Sequence, residues 1–339
     1  MHTFHASLRQ AVAVAIAVVA GAAVASASAQ APAESQVTLP SGVTLTYVTD
    51  GDPDGEPLVL VAGTGMQLID WPESLVRGLV ERGFRVIRVD NRDVGLSTVY
   101  EDAPVPTQAE IDAAVAAGEN PFPYSMQDLG ADVVGLLDAL EVPAAHLAGV
   151  SMGGSIATWA ALDAPERVLS LTLIATASGN PEQPILADPE AFAAVPPPPT
   201  AADGVEAFTD YWVALGHALS GEGFALDEEA VREAAARYFE RWYDPVALVR
   251  QQTAVAFDFF VRGRERFDRL AEIGIPTVVI HGDDDPLVPA ASGLELAESI
   301  PGAELRLVPG LGHDIPDGVV PELVYAIVTA AHEAGAALP

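Results

Sequence analysis

The residues most suited to chemistry surround Ser151, in the stretch 149–154 with the sequence GVSMGG. An apolar run precedes this stretch and a helical pattern follows it. G-x-S-x-G is typical of a tight strand-to-helix turn, in which small neighbours let the serine adopt a strained backbone conformation. Such a turn places Oγ at the positive end of a helix, where developing negative charge is stabilised. The pattern therefore predicts that Ser151 is a nucleophile.

A serine hydroxyl is a weak nucleophile at neutral pH, so it needs a nearby base and a carboxylate that orients the base. Seven histidines are present. His313 lies in a glycine-rich loop near the C-terminus, the expected place for the base when the chain order is Ser, Asp, His. The others lie in the N-terminal segment, predicted strands, a helical insertion or the last helix: His2, His5, His146, His217, His281 and His332. His313 is the predicted base, and a surface loop histidine is the alternative.

The acid that orients the base is expected just after the strand at residues 277–281, where Asp283, Asp284 and Asp285 follow one another. Adjacent like charges disfavour ionisation of a partly buried member, so the three aspartates compete. Asp285 is our prediction because Pro286 and the following turn fix its position. Asp283 and Asp284 are expected to be solvated or to cap turns.

An oxyanion hole needs two backbone N–H donors close to the nucleophile. We expect one from Met152 and one from the loop 63–66, where Thr64 is the predicted donor. The glycines on either side of Thr64 let the backbone approach a substrate oxygen. Taken alone, this loop is also compatible with an ordinary glycine-rich turn.

The sequence pattern around these residues predicts a parallel sheet covered by helices on both faces. Short apolar runs alternate with amphipathic helices, which is typical of that arrangement. The predicted strands are residues 58–62, 85–89, 145–150, 171–175, 277–281 and 304–308. Before them, residues 36–39 and 43–48 flank a turn and predict a hairpin of edge strands. Ser125 and Asp128 predict a capping box that opens a helix.

The segment 179–273 interrupts this alternation. It contains four consecutive prolines at 196–199 and then helical patterns rich in aromatic residues, without a strand pattern. A helical insertion of this kind is expected to form a lid over the carboxyl ends of the strands, where ligands bind in such folds. Its aromatic residues are expected mainly to pack the lid onto the core. The predicted core halves are 30–178 and 274–339.

The amino-acid composition of the chain limits the classes of molecule that it is expected to bind. The chain has 339 residues, 16 basic against 48 acidic, and a formal net charge of −32 at pH 7. Every basic residue is arginine. Such acidity repels nucleic-acid backbones and anionic lipid surfaces, so it disfavours nucleic-acid binding and stable membrane association and favours a neutral or cationic small-molecule substrate. No cofactor or metal is predicted.

Residues 1–29 have the pattern of a secretory signal peptide. Arg9 precedes a nearly unbroken apolar run at 11–25, and Ala27-Ser28-Ala29 fits a cleavage site before Gln30. A membrane anchor is the alternative, but this alanine-rich run is shorter than the roughly 20 residues needed to span a bilayer. Cysteine is absent, so export would bring no disulfide. The mature protein is expected in the periplasm or outside the cell.

Taken together, these motifs resemble the α/β-hydrolase family over nearly all of the mature chain. The resemblance includes the loop 63–71, the segment 90–97 (DNRDVGLS), the turn at Ser151 and both later loops. Within the family the chain is similar to aclacinomycin methylesterase-like and small-ester carboxylesterases. The resemblance implies an α/β fold with a mostly parallel twisted sheet, helices on both faces and a helical lid, and it agrees with the choice of Asp285.

One departure from the family concerns the oxyanion loop. Many relatives have His-Gly before the oxyanion residue, whereas this chain has Ala62-Gly63. This difference weakens the assignment of Thr64 as an oxyanion donor more than it weakens the assignment of Ser151, His313 and Asp285. Dehalogenases and epoxide hydrolases of the same fold use an aspartate nucleophile where this chain has Ser151, so they are set aside.

The expected function is carboxylic ester hydrolysis through an acyl-enzyme on Ser151. The same residues are compatible with lactone or carbon–carbon bond hydrolysis, because a fold does not fix a substrate. A protein that binds a small molecule on a hydrolase scaffold without turnover is the alternative from another class. The sequence does not determine the oligomeric state.

Overall fold

An eight-stranded mixed sheet lies at the centre of the computed structural model, which describes residues 33–180, 182 and 187–338. The strands are β1 (Ser35–Thr38), β2 (Thr44–Asp50), β3 (Glu56–Val61), β4 (Phe84–Val89), β5 (Ala145–Val150), β6 (Val168–Ile174), β7 (Thr277–Gly282) and β8 (Glu304–Val308). Their order is β1-β2-β4-β3-β5-β6-β7-β8. Strands β3 to β8 are parallel, and β2 pairs antiparallel with both β1 and β4. The predicted signal peptide at 1–29 lies outside the described residues.

The predicted fold class is confirmed, and all six predicted parallel strands are present with small differences at their ends. The hairpin is also present, but the prediction that both its strands are edge strands is wrong for β2. Tyr47 of β2 faces Ser35 of β1 on one side and Val89 of β4 on the other. Pairing on both sides gives hydrogen-bond partners to the backbone groups along both flanks of β2.

Helices cover both faces of the sheet. They are α1 (Glu73–Val80), α2 (Gln108–Ala117), α3 (Met126–Ala139), α4 (Met152–Asp163), α5 (Gly204–Leu219), α6 (Glu228–Arg241), α7 (Pro245–Phe257), α8 (Gly263–Arg269), α9 (Ala290–Ser299) and α10 (Val320–Glu333). In β3, Leu58 and Leu60 pack with α1 and α10, whereas Val59 and Val61 pack with α3, α4 and α9. Alternate residues of one strand therefore fill two cores, as the two-residue period of a strand requires.

Helix α3 begins as its sequence predicts. The Ser125 backbone N–H donates to Asp128 Oδ2 at 2.8 Å, and the Asp128 backbone N–H donates to Ser125 Oγ at 3.2 Å. This reciprocal pair satisfies two amide donors that helix geometry leaves without carbonyl partners.

Helices α5 to α8 lie between β6 and β7 in the chain, and we call residues 201–272 the helical insertion. A π-helical turn (Asp258–Arg262) separates α7 from α8, and no strand occurs in the insertion among the described residues. Its aromatic residues stack around Phe208, whose ring centroid lies 4.9 Å from Trp212, 5.5 Å from Tyr238 and 4.5 Å from Tyr243. These ring contacts lie within the insertion, whereas the sequence predicted packing onto the core; Phe208, Trp212 and Tyr238 also belong to the buried cluster that contains Leu58 and Leu60 of β3.

Candidate active site

Ser151 occupies the sharp turn between β5 and α4, with φ 53° and ψ −118°. A non-glycine residue in this region costs on the order of 1–3 kcal/mol, so its surroundings must hold it there. The Ser151 N–H donates to the Ile174 carbonyl at 2.8 Å, and Thr176 Oγ1 donates to the Ser151 carbonyl at 2.7 Å. Both partners belong to β6 or the loop after it, so the neighbouring strand stabilises the strained turn.

Glycines make room for this turn. A Cβ atom on Gly149 would lie 2.2 Å from the Gly153 carbonyl oxygen, and one on Gly153 would lie 2.0 Å from the Val61 carbonyl oxygen. Real Cβ atoms essentially never approach backbone atoms so closely, so side chains are excluded at both positions. The close approach of Gly153 to Val61 also brings the start of α4 against the end of β3, which the loop 63–66 follows.

The structure brings Ser151, His313 and Asp285 together from three separate loops. His313 Nε2 lies 3.1 Å from Ser151 Oγ, and His313 Nδ1 lies 2.7 Å from Asp285 Oδ2. Because an ionised carboxylate only accepts hydrogen bonds, it holds the proton on Nδ1 and leaves Nε2 free to accept from the serine hydroxyl. The side chain of His313 is 0% exposed. The arrangement is therefore suited to removing a proton from Ser151.

Asp285 is held on both oxygens. Its Oδ1 accepts backbone N–H groups of Leu287 and Val288 at 2.9 and 2.8 Å, and its Oδ2 faces His313 and, at 3.4 Å, Nε2 of His281. Burial alone would raise the pKa of Asp285, but the charge of His313 and the hydrogen bonds from His281 and His313 outweigh it and hold the pKa below its usual value. The group is therefore an ionised acceptor aimed at His313.

The other two aspartates of the run cap loops, in agreement with their predicted role. Asp283 Oδ1 accepts the Gly310 N–H at 2.6 Å, and Asp284 Oδ2 accepts the Glu222 N–H at 2.6 Å. Among the three neighbouring aspartates, Asp285 is the one within hydrogen-bond distance of His313. The other two fix the loop that carries His313 and its contact with the insertion.

The predicted oxyanion donors are Thr64 and Met152. Met152 is the first residue of α4, where an amide lacks an intrahelical partner. Thr64 is buried in a turn closed by the Met66 N–H and the Gly63 carbonyl at 3.2 Å. Among the hydrogen bonds between described residues, none uses the backbone N–H of Thr64 or of Met152. Both amides are thus available to an oxygen bound at the turn.

A second serine–histidine–carboxylate chain lies at the opposite ends of the strands. His146 Nδ1 lies 2.8 Å from Ser170 Oγ, and His146 Nε2 lies 3.2 Å from Glu56 Oε1. Burial lowers the pKa of His146, against the opposing effect of Glu56. Ser170 is 1% exposed, so a substrate has no access to it. These residues tie β3, β5 and β6 together and do not form a reactive site.

Sequence reasoning did not single out three further residues near the site. His281 contacts the carboxylate of Asp285, whereas Gln251 and Tyr238, from the insertion, contact the loop 63–66. A signal for one of them exists in the sequence, because the polar run 250–253 (RQQT) interrupts an otherwise apolar helix. Such a run predicts buried polar contacts without saying which backbone groups they meet.

Two features are absent from the described ranges 33–180, 182 and 187–338. No group of three histidine, cysteine, aspartate or glutamate side chains there is arranged to hold a metal ion. No helix in the same ranges has both the length and the apolar character needed to cross a bilayer.

Comparison with known proteins identifies the family. A family model described as the alpha/beta hydrolase fold matches residues 56–317. Rhodomycin D methylesterase of Streptomyces sp. (strain C5) is 31% identical over 309 residues, 84% of this chain and 94% of that protein. A 2-hydroxy-6-oxononadienedioate/2-hydroxy-6-oxononatrienedioate hydrolase of Burkholderia vietnamiensis is 30% identical over 278 residues, 79% of this chain and 84% of that protein.

A solved structure agrees with this result. The crystal structure of a hydrolase from Pseudomonas aeruginosa superposes with a TM-score of 0.62 at 29% identity and covers 91% of this chain and 100% of that one. The match of the family model extends from β3 to the loop after His313. It therefore includes every residue assembled at the candidate site, and this chain belongs to the α/β-hydrolase family.

Proposed function

We propose that the protein is an exported serine hydrolase that cleaves a small or medium neutral carboxylic ester through an acyl-enzyme on Ser151. The observation that carries the proposal is the continuous chain of contacts from Ser151 Oγ to His313 at 3.1 Å and from His313 to Asp285 at 2.7 Å. A serine held in a strained turn at a helix N-terminus, with this base behind it, has the geometry of a nucleophile.

In the first half of the proposed reaction, Ser151 Oγ attacks the ester carbonyl carbon while its proton moves to His313 Nε2. Asp285 stabilises the imidazolium that forms. The carbonyl oxygen becomes an oxyanion that accepts from the N–H groups of Thr64 and Met152. The tetrahedral adduct then breaks its bond to the alcohol oxygen, and His313 returns the proton to that leaving alcohol.

In the second half, water replaces the alcohol. His313 Nε2 takes a proton from the water as the oxygen attacks the acyl carbon, and the same two N–H groups stabilise the second oxyanion. The bond between the acyl carbon and Ser151 Oγ then breaks, and His313 returns the proton to Ser151. The products are one carboxylic acid and one alcohol.

Two observations support an uncharged ester. Rhodomycin D methylesterase, at 31% identity, is named for removing a methyl ester, which favours an ester with a small leaving alcohol. The formal net charge of −32 disfavours anionic substrates, because the field of the protein repels them. The proposed substrate is therefore a neutral ester whose alcohol portion is small.

The test compares the mature protein with Ser151→Ala on short p-nitrophenyl esters. We expect kcat/KM to fall by at least about 10³-fold, because the variant keeps binding and oxyanion contacts but lacks the nucleophile. A fluorophosphonate probe should add one label to the folded protein, mapped to Ser151 by mass spectrometry. Undiminished turnover in Ser151→Ala would refute the proposal, and a folded protein that stays unlabelled would favour a binding protein instead.

Carbon–carbon bond hydrolysis is the second candidate. The observation in its favour is the 30% identity to the Burkholderia vietnamiensis hydrolase, which is named for a dienedioate rather than an ester. A panel of esters, lactones, thioesters and a 6-oxo dienedioate separates the two, with Ser151→Ala as the blank. Cleavage of the dienedioate at a kcat/KM above that of every ester would replace our first candidate.

Export is the remaining part of the proposal. It is supported by the apolar run at 11–25 and by the small residues Ala27 and Ala29 before Gln30. N-terminal sequencing of protein recovered from the periplasm or the medium should give Gln30 as the first residue. Recovery of the uncleaved chain in the membrane fraction would contradict cleavage and favour an anchor.

A further inference from the structure

Both backbone polar groups of Gly65 are bonded to side chains of the helical insertion. The Gly65 N–H donates to Gln251 Oε1 at 2.6 Å, and the Tyr238 hydroxyl donates to the Gly65 carbonyl at 2.7 Å. Gly65 has φ 68°, a left-handed conformation that glycine adopts without strain. It directly follows Thr64, so the insertion holds the residue next to the proposed oxyanion donor.

The two side chains that hold Gly65 are themselves fixed. Gln251 and Tyr238 are both 0% exposed. Gln251 Nε2 also donates to the Arg92 carbonyl at 3.3 Å, which ties it to the loop after β4. The Tyr238 ring stacks on Phe208 at an interplanar angle of 17°. Gln251 therefore cannot shift without losing its bond to the core, and Tyr238 cannot shift without disturbing the packing inside the insertion.

The insertion also forms hydrogen bonds with the same loop at Gln67, two residues after Gly65. Gln67 Nε2 donates to the carbonyls of Tyr238 and Trp242 at 3.0 and 2.8 Å, and Arg241 Nη1 donates to Gln67 Oε1 at 2.5 Å. Both sets of hydrogen bonds include α6 or the residue after it, and the set at Gly65 also includes Gln251 of α7. The segment 65–67 is consequently bound to the insertion at each end.

The hydrogen bonds to Gly65 also restrict the orientation of the Thr64 N–H, because of the geometry of the peptide units between them. In a trans peptide the N–H points opposite to the preceding C=O, because the unit is planar. The Gly63 carbonyl faces into the turn, where it accepts the Met66 N–H at 3.2 Å, so the Thr64 N–H faces out of the turn. The next peptide unit, between Thr64 and Gly65, is fixed by Gln251. Rotation of the Thr64 amide would have to break these bonds.

We infer that Gln251 and Tyr238 are positioning residues that hold the Thr64 N–H in the orientation the oxyanion requires. This inference rests on the proposed function and adds to it a role for the insertion in the chemical step, beyond covering the site. Neither side chain touches the reacting atoms in this account. Since the contact with an oxyanion forms fully only in the transition state, its loss should lower kcat more than it raises KM.

The test uses Tyr238→Phe and Gln251→Leu, with Tyr243→Phe as the matched control. Each tyrosine donates its hydroxyl to a backbone carbonyl, but the partner of Tyr243 is Pro199, which lies just before the insertion, rather than the loop 63–66. With active sites counted by fluorophosphonate titration, we expect kcat on a p-nitrophenyl ester to fall about 10-fold or more in both test variants, a fraction of the about 10²–10³-fold seen when a donor is lost altogether. KM should change little, and Tyr243→Phe should behave as the unmodified protein.

A second readout separates positioning from general damage to the fold. A trifluoromethyl ketone forms a hemiketal oxyanion on the serine, so its affinity should fall in parallel with kcat in Tyr238→Phe and Gln251→Leu. Gln251→Glu keeps an oxygen that accepts the Gly65 N–H and should recover part of both quantities.

Unchanged kcat and inhibitor affinity in both test variants would overturn the inference, as would a rise in KM alone or an equal loss in Tyr243→Phe. The proposed function fails on a different result, which is full activity of Ser151→Ala. The two failures are therefore distinguishable.

Discussion

Arg250 on α7 and Asp93 in the loop after β4 form a two-point ion pair between the insertion and the core. Arg250 Nη2 lies 2.5 Å from Asp93 Oδ1, and Arg250 Nε lies 2.7 Å from Asp93 Oδ2. The side chains are 1% and 0% exposed, and Asp93 also accepts the Tyr124 hydroxyl at 3.0 Å. A paired charge can be buried at tolerable cost, but an unpaired one cannot.

Asp93→Asn should therefore destabilise the protein strongly. The variant keeps the side-chain size and the tolerance for the left-handed backbone at φ 69°, but it removes the carboxylate that pairs with the buried Arg250 guanidinium. We expect the free energy of unfolding, measured by urea denaturation, to fall by about 3 kcal/mol. Asp210→Asn, which breaks an exposed pair with Arg232, should change it by less than about 1 kcal/mol. Equal effects in the two variants would show that burial of the pair is unimportant.

The turn at Ser151 should not accept a methyl group at position 153. In Gly153→Ala the new Cβ would lie 2.0 Å from the Val61 carbonyl oxygen, so α4 or β3 must move and Ser151 must move with it. We expect a loss of at least about 2 kcal/mol in the free energy of unfolding, together with loss of esterase activity. Gly274→Ala is the control, because nothing lies within 4 Å of its Cβ. A Gly153→Ala variant with normal stability and activity would contradict this account of the turn.

Replacement of the orienting carboxylate should abolish most of the activity without removing the nucleophile. Asp285→Asn offers His313 an amide that does not fix the proton on Nδ1 or stabilise the imidazolium, so we expect kcat to fall by about 10⁴-fold. Asp283→Asn keeps an oxygen that accepts the Gly310 N–H and should stay close to the unmodified kcat. If Asp283→Asn were the inactive variant and Asp285→Asn the active one, the proposed assignment of the acid would be wrong.

Asp314, next to His313, should make stability depend on pH. Burial raises the pKa of Asp314 from 3.8 to about 6, although the hydrogen bond from Ser220 acts in the opposite direction. The folded state therefore binds more protons than the unfolded state between these values, and stability falls as pH rises through this window. Above pH 6 the full cost of the ionised carboxylate persists.

Asp314→Asn should remove the contribution of Asp314 to the pH dependence of stability. The amide oxygen still accepts from Ser220, but it carries no charge, so the free energy of unfolding at pH 7 should rise by about 1–3 kcal/mol. Urea denaturation from pH 4 to pH 8 measures the difference between the variant and the unmodified protein. Asp102 is exposed, so Asp102→Asn serves as the control and should leave the pH dependence of the free energy of unfolding unchanged. A parallel pH profile in Asp314→Asn would contradict the role of Asp314.

Much of the fold was predictable because its signals are local. The apolar run at β5, the glycines around Ser151 and the capping pair at Ser125 each depend on residues close together in the chain. The position of β2 was not predictable in this way. Its residues have the pattern of a half-buried strand, but whether a second neighbour covers its other side depends on β4, about forty residues away.

The sequence by itself determined which residues are chemically suited to a nucleophile, a base and an acid, because their types and their places after strands are local properties. It narrowed the acid to three adjacent aspartates and favoured Asp285. The tertiary structure decided which aspartate meets His313, that His281 also contacts it, and that Gln251 and Tyr238 hold Gly65. The contacts of Gln251 and Tyr238 join residues 186 and 173 positions apart in the chain, so their geometry exists only once the insertion has packed on the core.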